Sequence, residues 1–287
     1  MPTGSVVSLW RYPVKSMQSE RLESSVVGER GLAGDRAYAL IDVDTGHLCS
    51  AKHPRKWGAL FACHAAFVRE PAEDETPNVA IRLPEGSVVR SDDPDVDERL
   101  SALVGRKVRL DAAAPPEAII EEVWPEVKGP DFYGPREEAD EDGEAVIDFR
   151  ASLAVPGGFF DLSAIHLVTT NSLEELSKRE RAISFDERRF RPNIVVAIDG
   201  EEGFVENDWG GKTVRVGDAV VAVAIPTPRC VMTTLANDDL PHDKGVLKAL
   251  ADHNRVTIGT MGSFPCLGVN ASVSQGGTIR IGDAVEL

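Results

Sequence analysis

The segment Thr213–Cys230 reads TVRVGDAVVAVAIPTPRC, and it indicates the class of fold as well as a place for chemistry. Valine, alanine and isoleucine dominate the run, and Gly217-Asp218 interrupts it with a turn signal, so it predicts a β-hairpin. The prolines of Pro226–Pro228 then end the strand. Cys230 therefore follows a strand end beside the permanently charged Arg229, where a thiolate ligand or nucleophile is placed to act. The alternative is a small buried hydrophobic residue.

A second turn of the same kind lies near the C-terminus. Ile281–Val285 (IGDAV) echoes Val216–Val220 (VGDAV), and each copy predicts a β-hairpin corner. Further short strands are indicated by β-branched residues between Gly, Pro and Asp. They are Val6–Trp10, Arg36–Asp42, Ala65–Val68, Ala80–Leu83, Lys107–Leu110, Ile165–Thr169 and Ile194–Ile198.

Three segments carry helix signals. Asp95–Val104 has one apolar face and precedes a glycine stop. Leu173–Arg181 follows Ser172, which opens an S-x-x-E capping box, and Val246–His253 predicts a third, short helix. The predicted fold is therefore mostly β (α+β), with two β-barrel-like units and a few packed helices.

Composition predicts a domain boundary in the middle of the chain. Between Glu121 and Asp148 there are eleven acidic and two basic residues, and several prolines lie in the same region. We therefore expect a first β-barrel-like domain over 1–115, an acidic, Pro-rich linker or loop over 116–144 and a second domain over 145–287. The linker is predicted to be solvated, with a docking face for a basic partner as the alternative.

Charge and cysteine usage exclude some classes of protein. The net charge of −16 argues against a nucleic-acid binder, because phosphate backbones repel such a chain. No run of eighteen apolar residues and no secretory leader is visible, so we expect no membrane association. The four cysteines have no disulfide spacing, which predicts a reducing, cytoplasmic location.

Four separated segments contain groups that bind anions: Lys15-Ser16, Gly31–Arg36, Thr170–Ser172 and Arg191–Asn193. Cations, hydroxyls and the amides of a helix entrance all favour a negative ligand. Surface ion pairing or simple helix capping is the alternative for each segment. A zinc reading of the neighbouring residues His47, Cys49, His53, Cys63 and His64 is weak, because their spacing matches no zinc motif.

Taken in order, the motifs resemble those of the MOSC proteins, which are named after the C-terminal part of molybdenum-cofactor sulfurase. The motifs are YPVKS at 12–16, GLAGDR at 31–36, FRPNIVV at 190–196, PRCVMTT at 228–234 and IGDAV at 281–285. The resemblance runs from about Val6 to Leu287. It is strongest to the amidoxime-reducing components and to bacterial reductases of N-hydroxylated bases.

The resemblance implies a molybdenum cofactor (Mo-molybdopterin), with Cys230 as the metal ligand and catalytic residue. The implied cofactor contacts are Lys15, Ser16, Arg36, Thr170, Asn171, Ser172, Arg191, Asn193 and Arg229. Three features depart from the family pattern: Pro228 in place of a small hydroxyl residue, Lys52 in place of arginine, and a longer Asn237–Gly245 loop.

The implied activity is reduction of small N-hydroxylated substrates. Electrons are expected from a separate donor protein, ferredoxin- or flavin-reductase-like, because the cysteines lack iron–sulfur spacing and no nucleotide fingerprint is visible. Because the sequence ends two residues after the IGDAV motif, we also expect no ferredoxin-like tail. The alternatives are a non-catalytic cofactor or sulfur carrier that uses Cys230, and a sensor or scaffold with an empty pocket.

Overall fold

A computed structural model describes residues 3–72, 75–114, 119–123, 146–150, 155 and 157–287. The chain forms two compact units. The C-terminal unit comprises Met1–Trp10, Arg21–Ala33 and Ser163–Leu287, and the N-terminal unit comprises Arg11–Glu20 and Gly34–Leu162. No helix among the described residues is long and apolar enough to cross a lipid bilayer.

Strands dominate the described residues. The first nine are β1 (Thr3–Arg11), β2 (Glu20–Leu22), β3 (Ser24–Gly28), β4 (Gly31–Leu32), β5 (Ala39–Asp42), β6 (His64–Phe67), β7 (Val79–Arg82), β8 (Val88–Arg90) and β9 (Val108–Asp111). The others are β10 (Ile119–Val123), β11 (Val146–Arg150), β12 (Ile165–Thr169), β13 (Ile194–Ile198), β14 (Thr213–Val216), β15 (Ala219–Pro228), β16 (Arg255–Ile258), β17 (Gly262–Gln275), β18 (Gly277–Arg280) and β19 (Ala284–Glu286). The α-helices are α1 (Pro54–Trp57), α2 (Val96–Val104), α3 (Thr170–Arg179) and α4 (Gly245–His253).

A closed barrel forms the centre of the C-terminal unit. Its strands follow the order β12-β13-β1-β19-β14-β15-β17, and β17 pairs with β12 to close the ring. The pairs are antiparallel except for β12 with β13. Apolar side chains such as Leu9, Leu167 and Val269 are completely buried in this unit, which supplies its hydrophobic stabilisation. The mostly β prediction is confirmed.

The first strand belongs to the C-terminal unit although it opens the chain. β1 pairs with β13 along Gly4–Leu9 and with β19 along Thr3–Ser5. The sequence boundaries instead group residues 1–115 together, and they stay a prediction. Most of the predicted linker, 116–144, lies outside the described residues; Ile119–Val123 within it forms β10, which pairs with β11.

The N-terminal unit contains smaller sheets around its own core. β6, β7 and β8 form one antiparallel sheet, and β5 pairs with β9. Its buried core includes Met17, Leu40, Trp57, Leu60 and Leu100. α2 contributes Leu100 and ends at Gly105, whose left-handed backbone (φ 69°) provides the predicted stop.

Both turn predictions fall on glycine turns, but only the first is a hairpin. β14 and β15 pair across Gly217, as predicted. The prediction for Ile281–Val285 is wrong, because β18 pairs with β3 whereas β19 pairs with β1 and β14. The turn signal is local, but the partners of the two strands are set by distant segments, so the chain turns a corner between two sheets.

The predicted start of α3 is also wrong. The helix begins at Thr170, and Thr169 caps it by accepting a hydrogen bond from the Ser172 main-chain N–H at 3.1 Å. Thr169 leaves β12 with an extended backbone (φ −100°, ψ 144°), which aims its hydroxyl at the first turn. Ser172 therefore lies inside the first turn and does not cap the helix.

Candidate functional site

Cys230 lies just after β15 and opens a short 3₁₀ helix, Val231–Thr234. Its backbone is extended, and its carbonyl accepts hydrogen bonds from the main-chain N–H (3.2 Å) and the hydroxyl (3.0 Å) of Thr233. These two bonds fix the turn that follows the strand. The residue is half-buried and is therefore partly open to solvent.

The other three cysteines are completely buried. Cys49, Cys63 and Cys266 have no exposed surface, and burial raises the pKa of Cys63 and of Cys266 to about 12. Both therefore remain neutral thiols near pH 7 and are poor ligands or nucleophiles. In the part of the chain that the structure describes, no three His, Cys, Asp or Glu side chains are arranged to hold a metal ion, so the zinc reading gains no support.

Arg229 braces the strand end that carries the cysteine. Its main-chain N–H donates to the Pro265 carbonyl at 2.9 Å. Its guanidinium donates to the Phe190 carbonyl at 2.7 Å, lies 5.7 Å from the centre of the Phe190 ring and places Nη1 3.3 Å from Nε2 of His166. Arg229, a predicted cofactor contact, thus also joins β17 to the segment at Phe190 within the C-terminal unit.

The segment before β13 places Arg191 and Asn193 in the same neighbourhood. Arg191 has a left-handed backbone (φ 53°) and is 8% exposed. Asn193 is buried, and its Oδ1 accepts from the His166 main-chain N–H at 3.0 Å. His166 Nδ1 lies 3.4 Å from the Arg191 carbonyl oxygen. His166 therefore contacts three predicted cofactor residues, Arg191, Asn193 and Arg229. The sequence analysis missed it, although a histidine between the apolar residues Ile165 and Leu167 was a visible signal.

The predicted anion segment at the start of α3 is largely committed to internal contacts. The side-chain amide of Asn171 donates to the Ile198 carbonyl at 3.0 Å and accepts from the Ile198 N–H at 3.0 Å. Ser172 is buried and donates its hydroxyl to Glu206 at 2.6 Å. Thr170 and Asn171 are half-buried, and Thr170 lines the surface along α3.

Glu206 is a second residue that sequence reasoning missed. Its carboxyl group is buried and accepts from the hydroxyls of Thr169 (2.7 Å) and Ser172 (2.6 Å) and from the Gly268 N–H (3.2 Å). Burial raises its pKa despite these donors. It joins the start of α3 to β17, and nothing in the local sequence distinguishes it from the other acidic residues.

The N-terminal unit contains a compact cluster of charges. The buried ammonium of Lys15 pairs with Asp161, and Lys52 pairs with Glu122 and lies 3.2 Å from Asp161. Burial favours the neutral acid, but the nearby ammonium groups of Lys15 and Lys52, joined by the Arg36 guanidinium, outweigh it and hold the pKa of Asp161 well below its usual range. The cluster therefore presents cations that already bind two carboxylates, those of Asp161 and Glu122.

Arg36 and Ser16 lie in the same unit. The Arg36 guanidinium pairs with the buried carboxylate of Asp35 and lies 4.8 Å from the centre of the Tyr12 ring. The Ser16 hydroxyl accepts a hydrogen bond from the Ala51 N–H at 3.0 Å. Both predicted residues thus have fixed surroundings before any ligand is considered.

Backbone strain coincides with the predicted contacts. Among the described residues, the non-glycine positions with positive φ are Ser16 (66°), Arg36 (47°), Arg191 (53°) and Asp238 (50°). The first three are predicted cofactor contacts. Such conformations cost about 1–3 kcal/mol and cluster at ligand and active sites, where the surrounding structure enforces them. The strain therefore marks the predicted positions independently of their side-chain chemistry.

Two family models match the chain. The MOSC N-terminal beta barrel domain matches residues 3–87, and the MOSC domain matches residues 156–286. Between them they cover all five motifs, including the one that contains Cys230.

Curated relatives and a solved structure are also similar. Mitochondrial amidoxime reducing component 2 of Rattus norvegicus is 33% identical over 130 residues, 44% of this chain and 37% of that protein, so the alignment spans little more than a third of it. Mitochondrial amidoxime-reducing component 1 of Mus musculus is 26% identical over 302 aligned residues, 99% of this chain and 82% of that protein. The crystal structure of the YuaD protein from Bacillus subtilis superposes with a TM-score of 0.45 at 10% identity, covering 99% of this chain and 97% of that one.

Proposed function

Because the chain belongs to the MOSC-domain proteins that carry an N-terminal MOSC β-barrel domain, we propose that it binds the molybdenum cofactor and reduces N-hydroxylated compounds. The amidoxime-reducing names of its relatives support a reductase. The observation that carries the proposal is the left-handed backbone at Ser16, Arg36 and Arg191, three of the residues assigned to the cofactor. Such strained conformations cluster at active sites and at ligand-binding positions.

The residues present fit the chemistry of the cofactor. A pterin with a phosphate and a dithiolene is anionic, and guanidinium and ammonium groups bind such a ligand through charge-assisted hydrogen bonds. Each unit has candidate contacts of its own. They are Arg191 and Asn193 in the C-terminal unit, and Lys15, Ser16 and Arg36 in the N-terminal unit. Cys230 offers the soft sulfur that a molybdenum centre prefers.

Each residue has a separate task in this scheme. When bound, the cofactor supplies the two-electron chemistry that removes oxygen from the substrate. Cys230 would hold the metal from the end of a braced strand, and Arg229 keeps that strand end in place through Phe190. The cations would neutralise the charge of the cofactor. Reduction of an N–OH group also consumes two protons and two electrons and releases water.

Electrons are proposed to come from a separate protein of the ferredoxin or flavin-reductase kind. The chain carries a net charge of −16, so a basic face on the donor would be attracted and the encounter weakened by salt. The cytoplasmic location of this reaction stays a prediction.

The test uses protein purified from a cofactor-producing host. We expect about one molybdenum and one pterin per chain, and turnover of an aryl amidoxime with reduced viologen but none with NADH or NADPH alone. Metal analysis and product chromatography measure both. Bound cofactor without turnover, or a persulfide on Cys230, would favour the carrier alternative. Turnover with a nicotinamide nucleotide alone would refute the separate donor.

A further inference from the structure

We propose that His166 is a positioning residue that, together with Arg229, clamps Arg191 in its left-handed conformation so that its guanidinium is preset for the anionic cofactor. The ligand in this inference rests on the proposed function. The clamp itself rests on contacts within the C-terminal unit alone, so it is testable without any cofactor.

The clamp holds the two peptide carbonyls on either side of the Arg191 α-carbon. The carbonyl of Phe190 accepts from Arg229 Nη2 at 2.7 Å, and the carbonyl of Arg191 lies 3.4 Å from His166 Nδ1. Fixing both carbonyls fixes the peptide planes before and after Arg191, and hence the dihedral angles between them. Arg191 is not a glycine, so its φ of 53° is strained and needs support from the surrounding structure.

The two clamp residues also contact each other, and this contact favours one imidazole tautomer. Arg229 Nη1 lies 3.3 Å from His166 Nε2, and a guanidinium only donates. In the clamp, Nε2 accepts from Arg229, and Nδ1 carries the hydrogen and donates it to the Arg191 carbonyl. The Leu267 carbonyl, 3.3 Å from Nε2, suits the opposite tautomer, and asparagine and glutamine variants of His166 distinguish the two.

The surroundings hold the imidazole ring in place. His166 is 8% exposed, and its main chain bonds Asn193 twice, at 3.0 Å to Oδ1 and at 2.8 Å from the Asn193 N–H. Gly268 makes room for the ring, because a Cβ there would lie 2.6 Å from His166 Nε2. The ring is therefore seated by β12 and β17, while its partner Arg229 follows β15.

Three substitutions separate the two halves of the clamp. Asparagine places an amide near the Nδ1 position and keeps the donor to Arg191, whereas glutamine reaches the Nε2 position and keeps the acceptor for Arg229. Leucine removes both. His253→Asn serves as the control, because this histidine pairs with Glu180 at the end of α4.

The first measurement is thermal unfolding of the protein without cofactor. Glycine adopts positive φ without strain. We therefore expect His166→Leu to lower the melting temperature less in an Arg191→Gly background than in the parent chain. Equal losses in both backgrounds would overturn the clamp, whatever the cofactor does.

The second measurement is cofactor affinity, followed as pterin and molybdenum retained after dialysis. We expect His166→Leu to lose about tenfold in affinity, within the range for one charge-assisted contact, and His166→Asn to lie closer to the parent chain than His166→Gln does. Equal losses for the Asn and Leu variants would contradict the proposal, as would a loss in the His253→Asn control. If His166→Leu does not fold, the Asn–Gln comparison decides. A parent chain without cofactor would instead defeat the proposed function and leave the unfolding result standing.

Discussion

Solvent access separates Cys230 from the other cysteines at the residue scale. Three thiols are completely buried, and burial raises the pKa of two of them, Cys63 and Cys266, to about 12. Cys230 is half-buried at a strand end whose neighbour Arg229 is held by Phe190. The four cysteines therefore differ in reactivity because the fold buries three of them and leaves Cys230 partly exposed.

We expect iodoacetamide to label Cys230 selectively in native protein without cofactor. At pH 8 a thiol with a pKa of about 12 is ionised to about one part in ten thousand, and its burial blocks the reagent as well. Peptide mass spectrometry measures the labelled fraction. Cys230→Ser should abolish labelling and molybdenum retention, whereas Cys266→Ala should leave both. Labelling of Cys266 as fast as of Cys230 would contradict this assignment.

A buried carboxyl group connects elements of the C-terminal unit. Glu206 accepts from two hydroxyls at the start of α3 and from the Gly268 main chain in β17. Burial raises its pKa above the ordinary value of 4.5, because the charged form is poorly solvated inside the unit. A raised pKa means that the folded chain binds this proton more tightly than the unfolded chain does.

The stability contributed by Glu206 should therefore be present below about pH 4.5 and be lost as pH rises through the higher, folded pKa. Glu206→Gln removes this titration. Between pH 5 and pH 8 the free energy of unfolding of the parent chain should fall relative to that of the variant, as urea titrations measure. Glu174→Gln, an exposed exchange on α3, should show no such difference. A constant gap between parent and Glu206→Gln would rule the pH effect out.

The whole molecule contains a long-range dependence, because its first strand completes the barrel of the C-terminal unit. β1 lies between β13 and β19, and residues 21–33 pack in the same unit. Without β1 the ring of strands is open, and open edges leave main-chain groups without partners. This unit is therefore built from segments near both ends of the chain.

We expect a shortened chain of residues 145–287 to lack cooperative thermal unfolding. A chain that joins residues 3–33 to 163–287 through a flexible linker should regain it, because it restores the strand between β13 and β19. Near-UV circular dichroism during heating distinguishes the two. Cooperative unfolding of residues 145–287 alone would show that the boundary predicted from sequence delimits an independent domain.

Local signals in the sequence determined much of the architecture. The predicted bounds Ile165–Thr169 and Ile194–Ile198 match the observed strands. The hairpin turn at Gly217 and the helix end at Gly105 also lie where the sequence predicts them. These features depend on residues a few positions apart, whose spacing and backbone preferences are visible in one chain. The position of Cys230 at a strand end was predictable for the same reason.

Tertiary structure decided the rest. Thr169 rather than Ser172 caps α3 because the strand before it orients the hydroxyl. The left-handed backbone of Arg191 and the contacts of His166 and Glu206 depend on segments tens of residues away. Long-range pairing and burial choose among local options that are nearly equal in free energy. A single sequence shows those options, and only the folded chain selects among them.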